Sequence, residues 1–356
     1  MTTSTGRPRI ESLIDAVLGA RPGTELFRYE HLSLALGLLL DDGRAIVVKV
    51  RPYERRHAAC SDVQRVLYAA GFPCPELLAG PIESDDSAVL PSETPEAYSS
   101  APCVARSSSA ASWSVSMERY VEPPAGDARG FAPTARLSGE ALCRLMSLAS
   151  HANASAMPSL APPPAWLAWN HPEPGFWPAP DDGDEDLNAI DAPDWLNEAA
   201  HHVREVLQSA SARPVIGHGD WESQNVFWGE GRLAAVHDWD SIVALPEPAI
   251  VGAAAGVFAV KGSEPSWPTL KNSQDFLAGY LASRGCDRVG SGSAMNAEWA
   301  KEYDRIFWAA GLWVHCFNAQ KALARGASAA DLERTRLLIR ERLALTGSQD
   351  AMRAQF

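Results

Sequence analysis

Two short segments constrain this chain more than any others: His218-Gly219-Asp220-Trp221-Glu222-Ser223-Gln224-Asn225 and, soon after, Val236-His237-Asp238-Trp239-Asp240-Ser241. The apolar run Pro214-Val215-Ile216 leads into the first, and Val226-Phe227-Trp228 leaves it. Gly229-Glu230-Gly231 then turns the chain, and Leu233-Ala234-Ala235-Val236 brings it back. That pattern predicts a hairpin with a polar loop at one end and acidic residues at the other. Asp220, Asn225 and Asp238 would then converge. A carboxylate that can orient and deprotonate a hydroxyl, beside oxygen ligands for magnesium, is a set that phosphoryl transfer requires.

The upstream chain supplies a possible partner for that chemistry. Asp41-Asp42-Gly43 is a hairpin turn signal, and the β-branched run Ala45-Ile46-Val47-Val48-Lys49-Val50 follows it. Taken alone, Lys49 reads as a strand lysine whose stem lies along the sheet while its ammonium reaches water. In the company of the downstream acids it reads as a cation for phosphate oxygens.

Before and after this strand the pattern alternates between elements. Residues 10–18 have helical spacing, and residues 27–40 alternate loosely before running apolar. Residues 57–70 form a helix with Val63, Val66, Leu67 and Ala70 on one face, and residues 76–82 a strand. Residues 83–112 are rich in Ser, Ala, Pro, Glu and Asp, and predict a long mobile loop or a degenerate hairpin. Residues 113–121 recover strand character, and Pro123-Pro124-Ala125-Gly126 marks a linker. Beyond it the chain reads as mainly helical, over 134–156, 195–209, 249–260, 271–283, 297–323 and 329–345.

The division predicted is an N-terminal lobe over 1–120 and a helical C-terminal lobe over 121–356. Small ligands commonly occupy the join of such lobes. Within the second lobe, residues 158–186 hold Trp166, Trp169, Phe176 and Trp177 among prolines. Those rings read equally as loop packing or as a wall that receives a cation. The acidic run over 181–186 reads as a solvated loop.

The assembled pieces resemble the aminoglycoside phosphotransferase and choline kinase-like superfamily. His218 to Asn225 resembles its HGDxxxxN catalytic loop, and Val236 to Ser241 its metal-binding segment. Ala45 to Lys49 resembles its phosphate-contacting strand, and Gly71-Phe72-Pro73-Cys74-Pro75 the turn after the small lobe's helix. Met117-Glu118-Arg119-Tyr120-Val121 resembles the hinge whose backbone binds adenine. The resemblance implies an α+β, two-lobed protein kinase-like fold and a Mg2+-dependent phosphotransferase that uses ATP or GTP.

On the same resemblance, Asp220 would accept or orient the proton of the acceptor hydroxyl, while Asn225 and Asp238 would hold magnesium. Lys49 would contact the nucleotide phosphates, with Met117, Glu118 and Tyr120 at the adenine. His218 would be scaffold, and Asp240 an acid behind the metal site or a helix cap. Relatives usually pair the strand lysine with a glutamate on the small lobe's helix, where this chain offers Asp62. The acceptor implied is an aminoglycoside or another aminated small molecule. Two further readings of these residues are a nucleotide-binding protein with little transfer activity, and a metal-dependent hydrolase built on His218, Asp220, His237 and Asp238.

Composition excludes other classes. The 356 residues carry a formal net charge of −13, which disfavours a general nucleic-acid binder, since such a protein would show a basic face. Such acidity suits a cationic substrate or simply solubility. The first residues have no apolar core, so no secretory signal is expected. The longest apolar runs are too short to span a bilayer. Six cysteines without a CxxC pair argue against a disulfide framework or a zinc ribbon, and the chain reads as cytoplasmic and reduced. The oligomeric state has no sequence signal.

Overall fold

Five strands build the first sheet, in the order β1-β2-β3-β5-β4 with every neighbouring pair antiparallel. They are β1 (Pro22–Glu30), β2 (Leu34–Leu40), β3 (Ala45–Pro52), β4 (Leu77–Ser84) and β5 (Trp113–Arg119). Strand geometry sends alternate side chains to opposite faces. Leu34, Leu36, Leu38 and Leu40 of β2 therefore share a face with Ile46, Val48 and Val50 of β3 and with Val115 and Met117 of β5. The helix α1 (Arg7–Leu18) closes that face with Ile10 and Ile14. The other face carries Lys49 and Glu118. A second helix, α2 (Arg56–Ala69), packs against β4.

The computed structural model describes residues 7–30, 33–84, 112–122, 134–152, 157, 160–260, 267–287 and 297–347. Most of the loop expected over 83–112, and the proline linker, lie outside the described residues. By contact the chain divides into two compact units, Met1–Pro123 with Asp181–Asp184, and Pro124–Pro180 with Glu185–Phe356.

In the second unit the helices are α3 (Ala135–Ala149), α4 (Asp194–Gln208), α5 (Glu247–Val257), α6 (Leu270–Asp287), α7 (Ala297–Ala324) and α8 (Ala329–Leu343). α3 packs on α6, and α7 packs on α4, α5 and α8. Between α4 and α5 lie two small antiparallel sheets. β6 (Pro214–His218) pairs with β9 (Ile242–Pro246), and β7 (Val226–Gly229) with β8 (Arg232–Val236). Among the described residues no helix is long and apolar enough to cross a membrane.

Local chemistry explains where the expected elements shift. Residues 27–40 hold the end of β1 and the whole of β2, because the chain reverses between them. The helix expected over 134–156 begins on Thr134, whose hydroxyl accepts from Leu137 N at 3.3 Å, and is described only to Ala149. There the Ser150 hydroxyl donates to the Ser147 carbonyl at 2.6 Å, turning a polar side chain onto the last turn.

The aromatic insertion is mainly packing. Phe176 and Trp177 meet Trp313 of α7 at centroid distances of 6.0 and 5.4 Å. Arg204 of α4 donates to the carbonyls of Trp169 (2.7 Å) and Phe176 (3.0 Å). The side chain of Asn188 binds the backbone of Phe176 and Trp177. Trp166 is the exception, and it belongs to the site.

Candidate active site

Two strand registers bring the site together. In the β6–β9 pair His218 lies opposite Ile242, so the chain leaving β6 at Gly219 passes the turn entering β9. Gly219 N donates to the Ser241 carbonyl at 2.6 Å. In the β7–β8 hairpin Val226 lies opposite Val236, which sets Asn225 beside His237, and His237 N donates to the Asn225 carbonyl at 2.8 Å. The hairpin closes on Glu230 and Gly231 at φ of 50° and 73°. Positive φ at both central residues matches the strand twist, and a one-residue register shift between Phe227 and Trp228 then brings Val226 opposite Val236.

Asp220 and Asn225 are joined directly. Asn225 Nδ2 donates to Asp220 Oδ2 at 2.7 Å and to the Asp220 carbonyl at 3.1 Å. Asp238 follows β8 in the left-handed region, at φ 58° and ψ 56°. For a residue with a Cβ this costs on the order of 1–3 kcal/mol, and it persists only where the surroundings over-determine it. Here Ser241 does so: its hydroxyl donates to Asp238 Oδ2 at 2.5 Å and its N–H to the Asp238 carbonyl at 3.1 Å. Asp240 lies half-buried in the same turn, Trp239–Ser241.

The loop is held from several sides. The His218 ring accepts from Asp220 N at 3.2 Å on Nδ1, and its Nε2 lies 3.0 Å from the His237 carbonyl. The carbonyl can only accept, so the ring is the Nε2–H tautomer, neutral and serving the backbone. Trp221 and Trp239 bracket it edge-on at 5.8 and 5.9 Å, both essentially fully buried. Trp221 Nε1 donates to Ser138 of α3 at 3.0 Å, and the Ser223 hydroxyl to the Val260 carbonyl at 2.6 Å. Trp166 Nε1 donates to the Gly219 carbonyl at 2.9 Å, with its ring half-buried. Gly219 itself is compelled, because a Cβ there would stand 2.8 Å from Leu167, 2.9 Å from Val243 and 3.0 Å from the Ser241 carbonyl.

Glu222 adds a half-buried carboxyl to the loop, with Gln224 Nε2 donating to it at 2.9 Å. Burial pushes its pKa up to about 7; Lys321 opposes that shift and the Asp238 carboxylate reinforces it.

Lys49 lies in the first unit. Lys49 Nζ lies 3.2 Å from Glu118 Oε2, and both side chains are largely buried. The sequence directed attention to Asp62 as the lysine's partner. The structure corrects this: Asp62 is exposed and paired with Arg65 at 2.9 Å, within its own helix. Of the other hinge residues, Met117 is fully buried in the core on the α1 side of the sheet. Tyr120 N donates to the Ala45 carbonyl at 2.9 Å, and its ring lies 5.9 Å from that of Phe27.

The donor set fits magnesium. Asn225 turns Nδ2 toward Asp220, so the amide atom that could serve a metal is Oδ1. Asp238 takes the Ser241 hydroxyl on one oxygen and has a second. Two hard oxygen donors are what magnesium takes from a protein when waters and phosphates complete its shell. Among the described residues no three of His, Cys, Asp and Glu gather as a metal group. His218, which the hydrolase reading needed as a ligand, has both ring nitrogens engaged with backbone. Ser241, Ser138 and Trp166 were not legible as site residues. Ser241 sits three positions after Asp238 in the quoted segment, a spacing that could have flagged it.

This sheet, its helices and the paired loop segments make an α+β protein kinase-like fold. Two solved structures share it. Amicoumacin kinase hAmiN, in complex with AMP-PNP, Ca2+ and Ami, aligns over 93% of this chain and 92% of its own, with TM-score 0.53 and 10% identity. A thermostable mutant of aminoglycoside phosphotransferase APH(4)-Ia, in a ternary complex with AMP-PNP and hygromycin B, aligns over 96% and 99%, with TM-score 0.50 and 14% identity. At such identities the likeness concerns the fold. No protein-family model and no curated protein matches the sequence.

Proposed function

We propose that the protein is a small-molecule kinase, transferring the γ-phosphoryl group of ATP or GTP to a hydroxyl of an aminated acceptor. One observation carries the reading: Asn225 holds the Asp220 carboxylate at 2.7 Å while the same hairpin delivers Asp238 in a strained conformation. Asp220 orients the acceptor hydroxyl and takes its proton. Asn225 Oδ1 and the Asp238 carboxylate hold magnesium, which when bound neutralises phosphate charge. Lys49, held by Glu118 in the first unit, serves the nucleotide phosphates. The two solved structures named above are small-molecule phosphotransferases by name, one an amicoumacin kinase and one an aminoglycoside phosphotransferase in complex with hygromycin B, which favours an antibiotic-like or aminated acceptor here.

A nucleotide binder without transfer activity is favoured by the lack of a glycine-rich loop before Lys49 and by the lack of a glutamate partner for it on α2, where the only acid is Asp62. Glu118 supplies that acid, which weakens this reading. Thermal denaturation with and without ATP or GTP and magnesium tests the proposal. Stabilisation by one nucleotide that depends on magnesium is expected, by about 2.7 kcal/mol at a hundredfold excess over Kd. No shift with either nucleotide would overturn both nucleotide readings.

A further inference from the structure

The counter-charge of Lys49 comes from the sheet, not from the helix. β5 pairs Glu118 with Val47, so Lys49, two residues along β3, lies diagonally across from Glu118 on the same face. That diagonal is within reach of two long side chains, and the ion pair forms at 3.2 Å. The second oxygen of the same carboxylate, Oε1, accepts from Gln64 Nε2 of α2 at 3.0 Å. Gln64 Nε2 also donates to the Pro75 carbonyl at 3.1 Å. Gln64 and Glu118 are 2% and 3% exposed, so this chain of contacts runs through protein rather than water.

The amide at position 64 is a chemical requirement. Its NH2 group donates to two acceptors, the Glu118 carboxylate and the Pro75 carbonyl. An ionised glutamate in its place would only accept. It would also set a second carboxylate against the first, and two such groups cannot both ionise cheaply. With glutamine there, position 64 adds no second carboxylate beside Glu118.

We propose that Glu118 is the positioning residue for Lys49, and that Gln64 ties this pair to α2 as a neutral tether. The proposal rests on the reading of Lys49 as the nucleotide lysine. It has a consequence for regulation. Where the acid sits on the helix, displacing the helix breaks the lysine pair and switches activity. Here the acid stands on β5, which is paired on both sides by β3 and β4, so a shift of α2 would cost the Gln64 hydrogen bond and leave the Lys49–Glu118 pair in place.

Lysine-directed acylation of the whole protein, read at Lys49 by peptide mass spectrometry, tests the pairing without assuming activity. Glu118→Gln should raise labelling at Lys49 by roughly 5-fold or more, because losing the carboxylate favours the reactive neutral amine. Asp62→Asn should leave it unchanged. Gln64→Met should raise it by less than Glu118→Gln does. Unchanged labelling in Glu118→Gln would overturn the proposal, as would a rise in Asp62→Asn, which keeps all of these buried contacts and so reports even where Glu118→Gln does not fold. Protection of wild-type Lys49 by ATP with magnesium reads the nucleotide assignment separately: its absence contradicts that assignment while the variants still decide the pairing. A double-mutant cycle completes the test. Glu118→Gln should raise the KM for nucleotide roughly 10-fold in the wild-type background and add nothing to Lys49→Met. The same factor in both backgrounds would assign Glu118 a purely structural role.

Discussion

Asn225 and Asp220 face each other across the loop between β6 and β7 with Nδ2 and Oδ2 2.7 Å apart, the amide donating and the carboxylate accepting. This bond explains why an amide, and not a second acid, stands at 225. It orients the carboxylate from one side and turns the amide oxygen outward. Asn225→Asp should therefore harm more than the loss of a ligand predicts, because two carboxylates would stand in contact and one would hold its proton to higher pH. The expected outcome is acceptor-dependent ADP release reduced by at least about 10²-fold, with the acid limb of the pH–rate profile moved upward. An unshifted limb would show that the bond does not set the Asp220 charge.

Ser241 fixes Asp238 in its left-handed conformation through two hydrogen bonds. Partners that orient a metal ligand typically contribute about 10- to 100-fold to metal affinity. Ser241→Ala should raise the magnesium concentration for half-maximal activity within that range and leave the fold intact by circular dichroism. Ser241→Thr keeps the hydroxyl and should restore most of it. A magnesium titration of the three proteins provides the check.

The Gly219 site has no room for a methyl group, with Leu167, Val243 and the Ser241 carbonyl all within 3.0 Å of a Cβ built there. Gly219→Ala should cost about 1–3 kcal/mol of stability, as overpacking does. It should also displace Asp220, so turnover should fall further than nucleotide binding. Denaturant unfolding and nucleotide titration on the same protein separate the two effects.

His315 on α7 offers a pH prediction away from the site. It is fully buried, the edge-to-face Trp267 ring is 4.8 Å away, and neither ring nitrogen has a hydrogen-bond partner. Burial lowers its pKa to about 3, with the Arg342 guanidinium pushing the same way. The unfolded chain protonates this ring near pH ~6.5, while the folded one stays neutral. Stability is therefore fully present above that pH and drains away as pH falls toward 3, by up to about 1.4 kcal/mol per pH unit. His315→Leu should remove this component and stabilise the protein by about 1–3 kcal/mol at neutral pH, since a buried polar group without partners is a penalty. Urea unfolding of both proteins across pH 4–8 tests it.

Much of this was legible because period and turn chemistry act locally. The leucines of β2, the Asp41-Asp42-Gly43 turn and the Gly229-Glu230-Gly231 turn each announce their element from a few neighbouring residues. Asp220, Asn225 and Asp238 could be singled out together because one hairpin carries all three. Glu118 could not be assigned as the lysine's partner, since its role depends on β3 lying beside β5, a pairing across a long separation in sequence. The same holds for Trp166 and Ser138, which reach the loop from distant segments. The rings at 169, 176 and 177 were ambiguous because burial against α4 and α7, not local pattern, decides between packing and binding.

The central claim is that Asp220 takes the proton of an acceptor hydroxyl during phosphoryl transfer. The most direct measurement is acceptor-dependent ADP release by wild type and Asp220→Ala over a panel of aminoglycosides, macrolides, choline and sugars, with the phosphorylated product identified by mass spectrometry. The account predicts at least one acceptor that is phosphorylated by the wild type, at a rate lowered by roughly 10²–10⁴-fold in the variant. Phosphorylation of that acceptor by Asp220→Ala at the wild-type rate would contradict it.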